Sequence, residues 1–220
     1  MPRSPPSAAS PLANPSALPD ALAELTARAD IRRYRKNALL IQEGDQGDTL
    51  FIIVSGRLRA FSMGDKGREI TYGVYGPGEY IGEMSLDGGP RSASVIALQT
   101  SVCAVVTRAT LEAYIAERPA FAFELLAKVI RRARAATLNA RQLALNDVYG
   151  RLRLLLESLA VQRADGTRHI TERLTHKEMS NRLGCSREMV SRLTKDLERG
   201  QLLVMTDQGM DLATTLPMRW

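Results

Sequence analysis

The segment LTHKEMSNRLGCSREMVSRLTKDLERG, residues 174–200, carries its own start, stop and restart signals. Thr175 and Glu178 stand at the spacing of a capping box, in which the threonine hydroxyl and the glutamate carboxylate each satisfy a backbone N–H at a helix start. Met179 and Leu183 then fall on one face of that helix. Gly184 can adopt the left-handed conformation that ends it, and Ser186 can cap the next one. The spacing therefore predicts helix, tight turn, helix. In the second helix Val190, Leu193 and Leu197 form the inward stripe, leaving Arg187, Glu188, Ser191, Arg192 and Lys195 together on the solvent face. Arginine forks onto O6 and N7 of guanine and glutamate accepts from N4 of cytosine, so this face has the chemistry of major-groove reading. Thr175, His176 and the cap Ser186 complete the candidate DNA-binding set, with His176 as a phosphate contact. An ordinary charged face, on which Glu188 merely pairs with Arg192, would require neither the caps nor the glycine turn.

The flanks extend this pair into a small winged domain over residues 147–220. Asp147 is a candidate N-cap for a helix through Leu152, Leu155, Leu156 and Leu159. A turn at Asp165-Gly166 leads to a strand at Arg168–Thr171. Beyond the reader, Leu202–Met205 and Met210–Ala213 flank Asp207-Gln208-Gly209 as a hairpin. Upstream, Pro119 opens a helix that runs without Gly or Pro to about Asn146, roughly 42 Å at 1.5 Å per residue. Along it Leu126, Ile130, Ala133, Thr137, Ala140 and Ala144 recur at alternating spacings of four and three. Such a heptad stripe suits a second identical helix, so residues 119–146 are expected to dimerise. The alternative is a helix packed on its own domain.

From about Ile31 to Thr107 the pattern changes to short β-rich runs at Ala38–Ile41, Thr49–Ser55, Arg57–Ser62, Glu69–Tyr75, Tyr80–Gly82, Ala93–Leu98 and Val102–Val106. They are separated by turn formers such as Gly44-Asp45, Gly64-Asp65, Gly76-Pro77-Gly78 and Asp87-Gly88-Gly89-Pro90. Many short strands with frequent Gly and Pro turns predict a β-roll or jelly-roll. A helix around Leu18–Arg28 is expected to pack outside it, and a short helix through Leu111, Tyr114 and Ile115 to end near Glu117. The expected fold class is α+β: a sensor domain at 20–118, a dimerisation helix and a winged reader. The first 19 residues, with six prolines among Ser and Ala, read as a disordered tail.

Charge divides along the same lines. The 220 residues contain 30 Lys or Arg and 24 Asp or Glu, a net charge of +6. Residues 1–118 hold 13 basic and 13 acidic side chains, 119–147 hold 5 and 2, and 148–220 hold 12 and 9. The whole surplus lies after Pro119, which favours a polyanion partner for that part. No apolar run reaches the roughly 18 residues of a membrane span, no export signal is evident, and a cytoplasmic location is expected.

The chain resembles the CRP/FNR superfamily of bacterial transcription regulators, on Gly-Pro-Gly-Glu-Tyr-Ile-Gly-Glu-Met at 76–84, Gly-Gly-Pro-Arg-Ser-Ala at 88–93 and Gly-Cys-Ser-Arg-Glu-Met-Val-Ser-Arg at 184–192. The resemblance implies an N-terminal cyclic-nucleotide-binding β-roll, a long dimerisation helix and a C-terminal winged helix-turn-helix. It further implies that Gly82 and Glu83 meet the ribose, that Arg91 and Ser92 hold the cyclic phosphate, with Ala93 beside them in the cyclic-nucleotide-binding set, and that Thr137 reaches the base from the neighbouring subunit. Implied partners are a near-palindromic double-stranded DNA site, a second copy of the chain and RNA polymerase. Cyclic AMP is the leading effector, with cyclic di-GMP or no effector as alternatives. Ala136 stands where cyclic-AMP-binding relatives carry a hydroxyl, and the loop between Glu83 and Arg91 is short.

Other chemistries fit poorly. Cys103 and Cys185 are too few for an iron–sulfur cluster. The only histidines, His169 and His176, fall in the reader domain, so no haem or metal enzyme is expected on the roll. A regulatory subunit that senses a nucleotide and acts on a protein partner is the competing class, and the reader motif argues against it.

Overall fold

The computed structural model describes residues 18–64, 67–164, 166–213 and 215–219. Residues 1–17 of the expected tail, Asp65 of the Gly64 turn and Asp165 of the Gly166 turn lie outside the described residues. Two compact units emerge, one of residues up to Ala60 with Gly73–Val129, the other of Phe61–Tyr72 with residues from Ile130 onward.

The first unit is organised by β3 (Leu50–Ser55) and β8 (Ser101–Val106), which pair antiparallel. Both read as nearly continuous apolar runs because both faces are covered. Leu50 and Ile52 join Ala104 and Val106 in a core with Leu22 and Leu25 of α1 (Asp20–Thr26), Leu111 and Tyr114 of α2 (Arg108–Glu117), and Phe121. Phe51 and Ile53 join Cys103 and Val105 on the opposite face, against Ile41, Leu58, Ala60, Val95 and Ala97. Period two thus sends alternate residues of one strand into two cores.

One sheet has the order β1 (Asp30–Tyr34), β8, β3, β6 (Tyr80–Ile81). The other runs β2 (Leu39–Ile41), β7 (Ser94–Ala97), β4 (Leu58–Met63), β5 (Glu69–Tyr75). A 3₁₀ turn at Glu83–Ser85 follows β6. Strand β1 is an addition to the sequence-based reading: its residues are mostly exposed, and it is held by pairing with β8 from Asp30↔Val105 to Tyr34↔Ser101.

Helix α3 (Ala120–Leu145) follows Pro119 and runs unbroken as expected. Beyond it, α4 (Val148–Leu159) is capped by Asp147, whose carboxylate accepts from Gly150 N–H at 2.7 Å. A four-stranded sheet follows in the order β11 (Leu203–Thr206), β12 (Gly209–Leu212), β10 (Arg168–Ile170), β9 (Val161–Gln162). This sheet, α4, α5 (His176–Leu183) and α6 (Arg187–Arg199) enclose a core of Leu152, Leu156, Ile170, Met179, Leu183, Val190, Leu197 and Leu212. Strand β9, only two exposed residues long, is the second addition.

Both cysteines are free thiols. Burial in β8 pushes Cys103 up to about 12, and burial also raises Cys185. Among the described residues no helix is long and apolar enough to cross a membrane.

Candidate functional site

Local chemistry sets the reader. Thr175 Oγ1 accepts from Glu178 N–H at 3.1 Å, and the Glu178 carboxylate accepts from Thr175 N–H at 2.7 Å, closing the capping box. Gly184 ends α5 at φ 65°, in the left-handed region. Ser186 Oγ accepts from Met189 N–H at 3.2 Å and starts α6. Inside, Val190 and Leu197 are buried as predicted, whereas Leu193 is half-buried and packs on the core edge. Thr194, absent from the predicted inward stripe, is buried; its hydroxyl lies 3.0 Å from Val190 O and 3.2 Å from His176 Nε2. His176 therefore ties the start of α5 to α6. A polar residue four after Val190 was the signal available for this contact.

Outside, Arg187, Glu188, Ser191, Arg192 and Lys195 line one shallow groove along α6, continued by Asp196 and Arg199. The structure thus brings together the five groups read from helical spacing. Bonds from its own backbone and from Ser186, with Arg187 nearby, hold the Glu188 carboxyl below its ordinary value, so it stays an ionised acceptor at neutral pH. Among Arg187, Arg192 and Lys195, only Arg192 has a side-chain hydrogen bond within the described residues, to the Met189 thioether at 2.9 Å.

In the roll, Arg91 is buried, 7% exposed. Its Nη1 faces Thr49 O at 3.0 Å, Gly82 O at 3.1 Å and Ser85 Oγ at 2.7 Å, while Nη2 donates to Thr49 Oγ1 at 2.9 Å. Its backbone is clamped to the Gly44 loop, through Gly44 N–H to Arg91 O at 2.9 Å and Arg91 N–H to Asp45 O at 2.8 Å. Burial lowers the guanidinium pKa, with Asp48 and Glu83 pulling the other way through space. Every hydrogen-bond acceptor of Arg91 among the described residues is neutral, and no carboxylate pairs with it directly. Thr49 and Ser85 escaped the sequence reading because they meet Arg91 only through the fold.

The other candidates in the roll surround this group. Glu83 is buried, Gly82 and Ala93 are half-buried, and Ser92 is exposed with its hydroxyl 3.5 Å from Met84 Sδ. Thr137 lies on α3, exposed, with Oγ1 donating to Ala133 O at 3.0 Å. The whole predicted stripe from Leu126 through Ala144 is exposed, with Leu126 at 53% and Ile130 at 41%. Among the described residues no group of three or more His, Cys, Asp or Glu is arranged to hold a metal. His169 is instead buried against Asp211, Nδ1 to Oδ1 2.5 Å, and Arg163 reaches the same oxygen at 3.2 Å.

An arginine-centred roll and a capped helix-turn-helix on one chain define a two-module DNA-binding architecture, and comparison with known proteins agrees. The model of the cyclic nucleotide-binding domain matches residues 31–118, and that of the Crp-like helix-turn-helix domain matches 150–213. The chain is 32% identical over 182 residues to the CRP-like cAMP-activated global transcriptional regulator of Mycobacterium tuberculosis, covering 81% of each chain. It is 31% identical over 178 residues to the cAMP-activated global transcriptional regulator CRP of Escherichia coli O157:H7, covering 79% of this chain and 84% of that protein. Among solved structures it is similar to the c-di-GMP responsive global regulator CLP of Xanthomonas campestris, at 25% identity and a TM-score of 0.76, covering 89% of this chain and 99% of that one. The chain belongs to the CRP/FNR family of DNA-binding transcription regulators.

Proposed function

We propose that the chain is a homodimeric, allosterically controlled regulator whose β-roll takes a cyclic nucleotide phosphate on Arg91. The domains divide at 20–118, 119–146 and 147–220. The single observation that carries this reading is a buried guanidinium that, among the described residues, is hydrogen-bonded only to neutral oxygens. A buried charge without a bonded counter-charge is costly, and a phosphodiester supplies one with matching geometry. Glu83 and Gly82 then face the ribose, Ser92 and Ala93 flank the phosphate, and the exposed stripe of α3 pairs with its copy, presenting Thr137 to the base. Ligand alters DNA affinity only by favouring one arrangement of the dimer. The two α6 helices then enter successive major grooves about 34 Å apart on a near-palindromic site. This reading makes the protein a cytoplasmic regulator without catalytic activity that works with RNA polymerase.

Cyclic AMP is the first candidate because relatives at 31–32% identity are named as activated by it. Cyclic di-GMP is the second, favoured by the likeness to a c-di-GMP responsive regulator and by Ala136, which lacks the hydroxyl of cyclic-AMP-binding relatives. Calorimetry with cyclic AMP, cyclic GMP and cyclic di-GMP, followed by DNA binding with and without the nucleotide that binds, tests the reading. One of them should bind the wild-type chain and be lost in Arg91→Gln. Binding of none overturns the nucleotide reading and leaves the DNA reader standing.

Gly47 offers a finer test. A Cβ there would stand 2.8 Å from Arg91 Nη2 and 2.9 Å from Nε, the far end of a flexible side chain. Gly47→Ala should therefore displace the guanidinium while leaving the backbone intact. Losing one charge-assisted bond, about 1.5–3 kcal/mol, corresponds to about a ten- to 150-fold weaker nucleotide affinity. The midpoint of thermal unfolding should stay within a few degrees of wild type, which separates this outcome from misfolding. Unchanged affinity would remove Gly47 from the site.

A further inference from the structure

Helix α6 presents Arg187, Arg192, Lys195 and, at its far end, Arg199 along its groove, and they are not held alike; Arg199 pairs with Asp196 at 3.5 Å. Arg187 and Lys195 donate to no side chain among the described residues, whereas Arg192 Nη2 rests 2.9 Å from Met189 Sδ. Positions three apart share a helix face, so the contact forms within one turn of α6. Met189 is itself half-buried, and its backbone N–H is fixed by the Ser186 cap at 3.2 Å. Its backbone is thus held at the start of α6 while its thioether meets the guanidinium at the surface.

The chemistry of this partner matters. A thioether is a polarisable but weak acceptor. A carboxylate or amide at position 189 would compete with a base for the arginine fork. Sulfur orients the fork and leaves it charged and available. Ordering a long side chain beforehand removes part of the entropy lost when it docks, about 0.5–1.5 kcal/mol for a rotamer-rich side chain.

We infer that Met189 is a positioning residue that sets sequence specificity by holding Arg192 in its base-reading conformation. The inference rests on the DNA-reading assignment of α6 and adds to it a residue that touches no base edge. It makes two claims that a packing role does not: the effect is confined to the base pair read by Arg192, and it depends on sulfur as an acceptor.

The test uses the full-length chain and a panel of DNA sites differing by one base pair at a time, with the bound nucleotide present if one is required. Arg192→Ala identifies the base pair that Arg192 reads. Met189→Ala and Met189→Leu should both reduce preference at that same pair, by about two- to ten-fold. Preference at the pair read by Arg187 should not change. Met189→Leu keeps an apolar side chain of similar bulk and removes the sulfur acceptor. If it retains the full wild-type preference, or if either variant weakens binding equally at all positions, the inference is overturned and Met189 is a packing residue. A wild-type chain that discriminates among none of the sites overturns the reading of α6 as a DNA reader, and this inference falls with it.

Discussion

In Arg187→Ala, preference for one base pair of each half-site falls by about 1–3 kcal/mol, or about five- to 150-fold. Arg187 is the first residue of α6, beyond the Ser186 cap, and is exposed with no side-chain hydrogen bond of its own among the described residues. Nothing must be broken for its fork to meet guanine. Glu188 beside it is held in its ionised form, so the helix start carries a donor fork and an acceptor side by side. The informative companion is Arg187→Lys. It retains the charge but lacks the planar fork, so the slope of affinity against salt should hold while base preference is lost. Competition binding among singly substituted DNA sites measures both quantities. Unchanged preference in Arg187→Ala would remove its assigned role.

Gly209→Ala should destabilise the winged domain by about 2–6 kcal/mol. Gly209 opens β12 with φ +141°, a conformation that costs an alanine about 1–3 kcal/mol. A Cβ there would lie 2.0 Å from Ile170 O and 3.1 Å from Ile170 C. These are backbone atoms of β10, the strand to which β12 pairs through Ile170↔Met210, so they cannot swing aside as a side chain would. Overpacking of this kind adds a further 1–3 kcal/mol or so. Chemical denaturation followed by circular dichroism checks the expectation, with Gly76→Ala as the control, since a Cβ at Gly76 would meet nothing within 4 Å. A midpoint equal to wild type would show that β10 can yield.

The parts of this structure that were legible in the sequence are those specified within a few residues. Thr175 with Glu178, Gly184 and Ser186 each act on backbone at most four positions away, and all three perform the predicted task. The apolar runs of β3 and β8 were legible for a related reason, since strands covered on both faces need no polar alternation. Strand β1 was not, because Asp30, Arg32 and Arg33 give it no apolar period; it is extended only because β8 offers an edge. Around Arg91 the division is the same. The arginine stands in a recognisable motif, but Thr49 lies 42 residues away and reaches it only across the roll. Thr194 was missed because a threonine on a polar helix reads as surface, whereas here its hydroxyl is satisfied by Val190 O and turned inward.

The sheltering of Cys103 has a practical side. With its thiol pushed up to about 12, only about one molecule in 10⁵ carries the reactive thiolate at pH 7. Cys185, half-buried and also raised, is slowed in the same sense. A cysteine introduced at an exposed position of α6 would therefore be the fastest-labelling thiol in the chain. A single dye placed there, without first stripping the native cysteines, could report in real time when the reader meets its DNA.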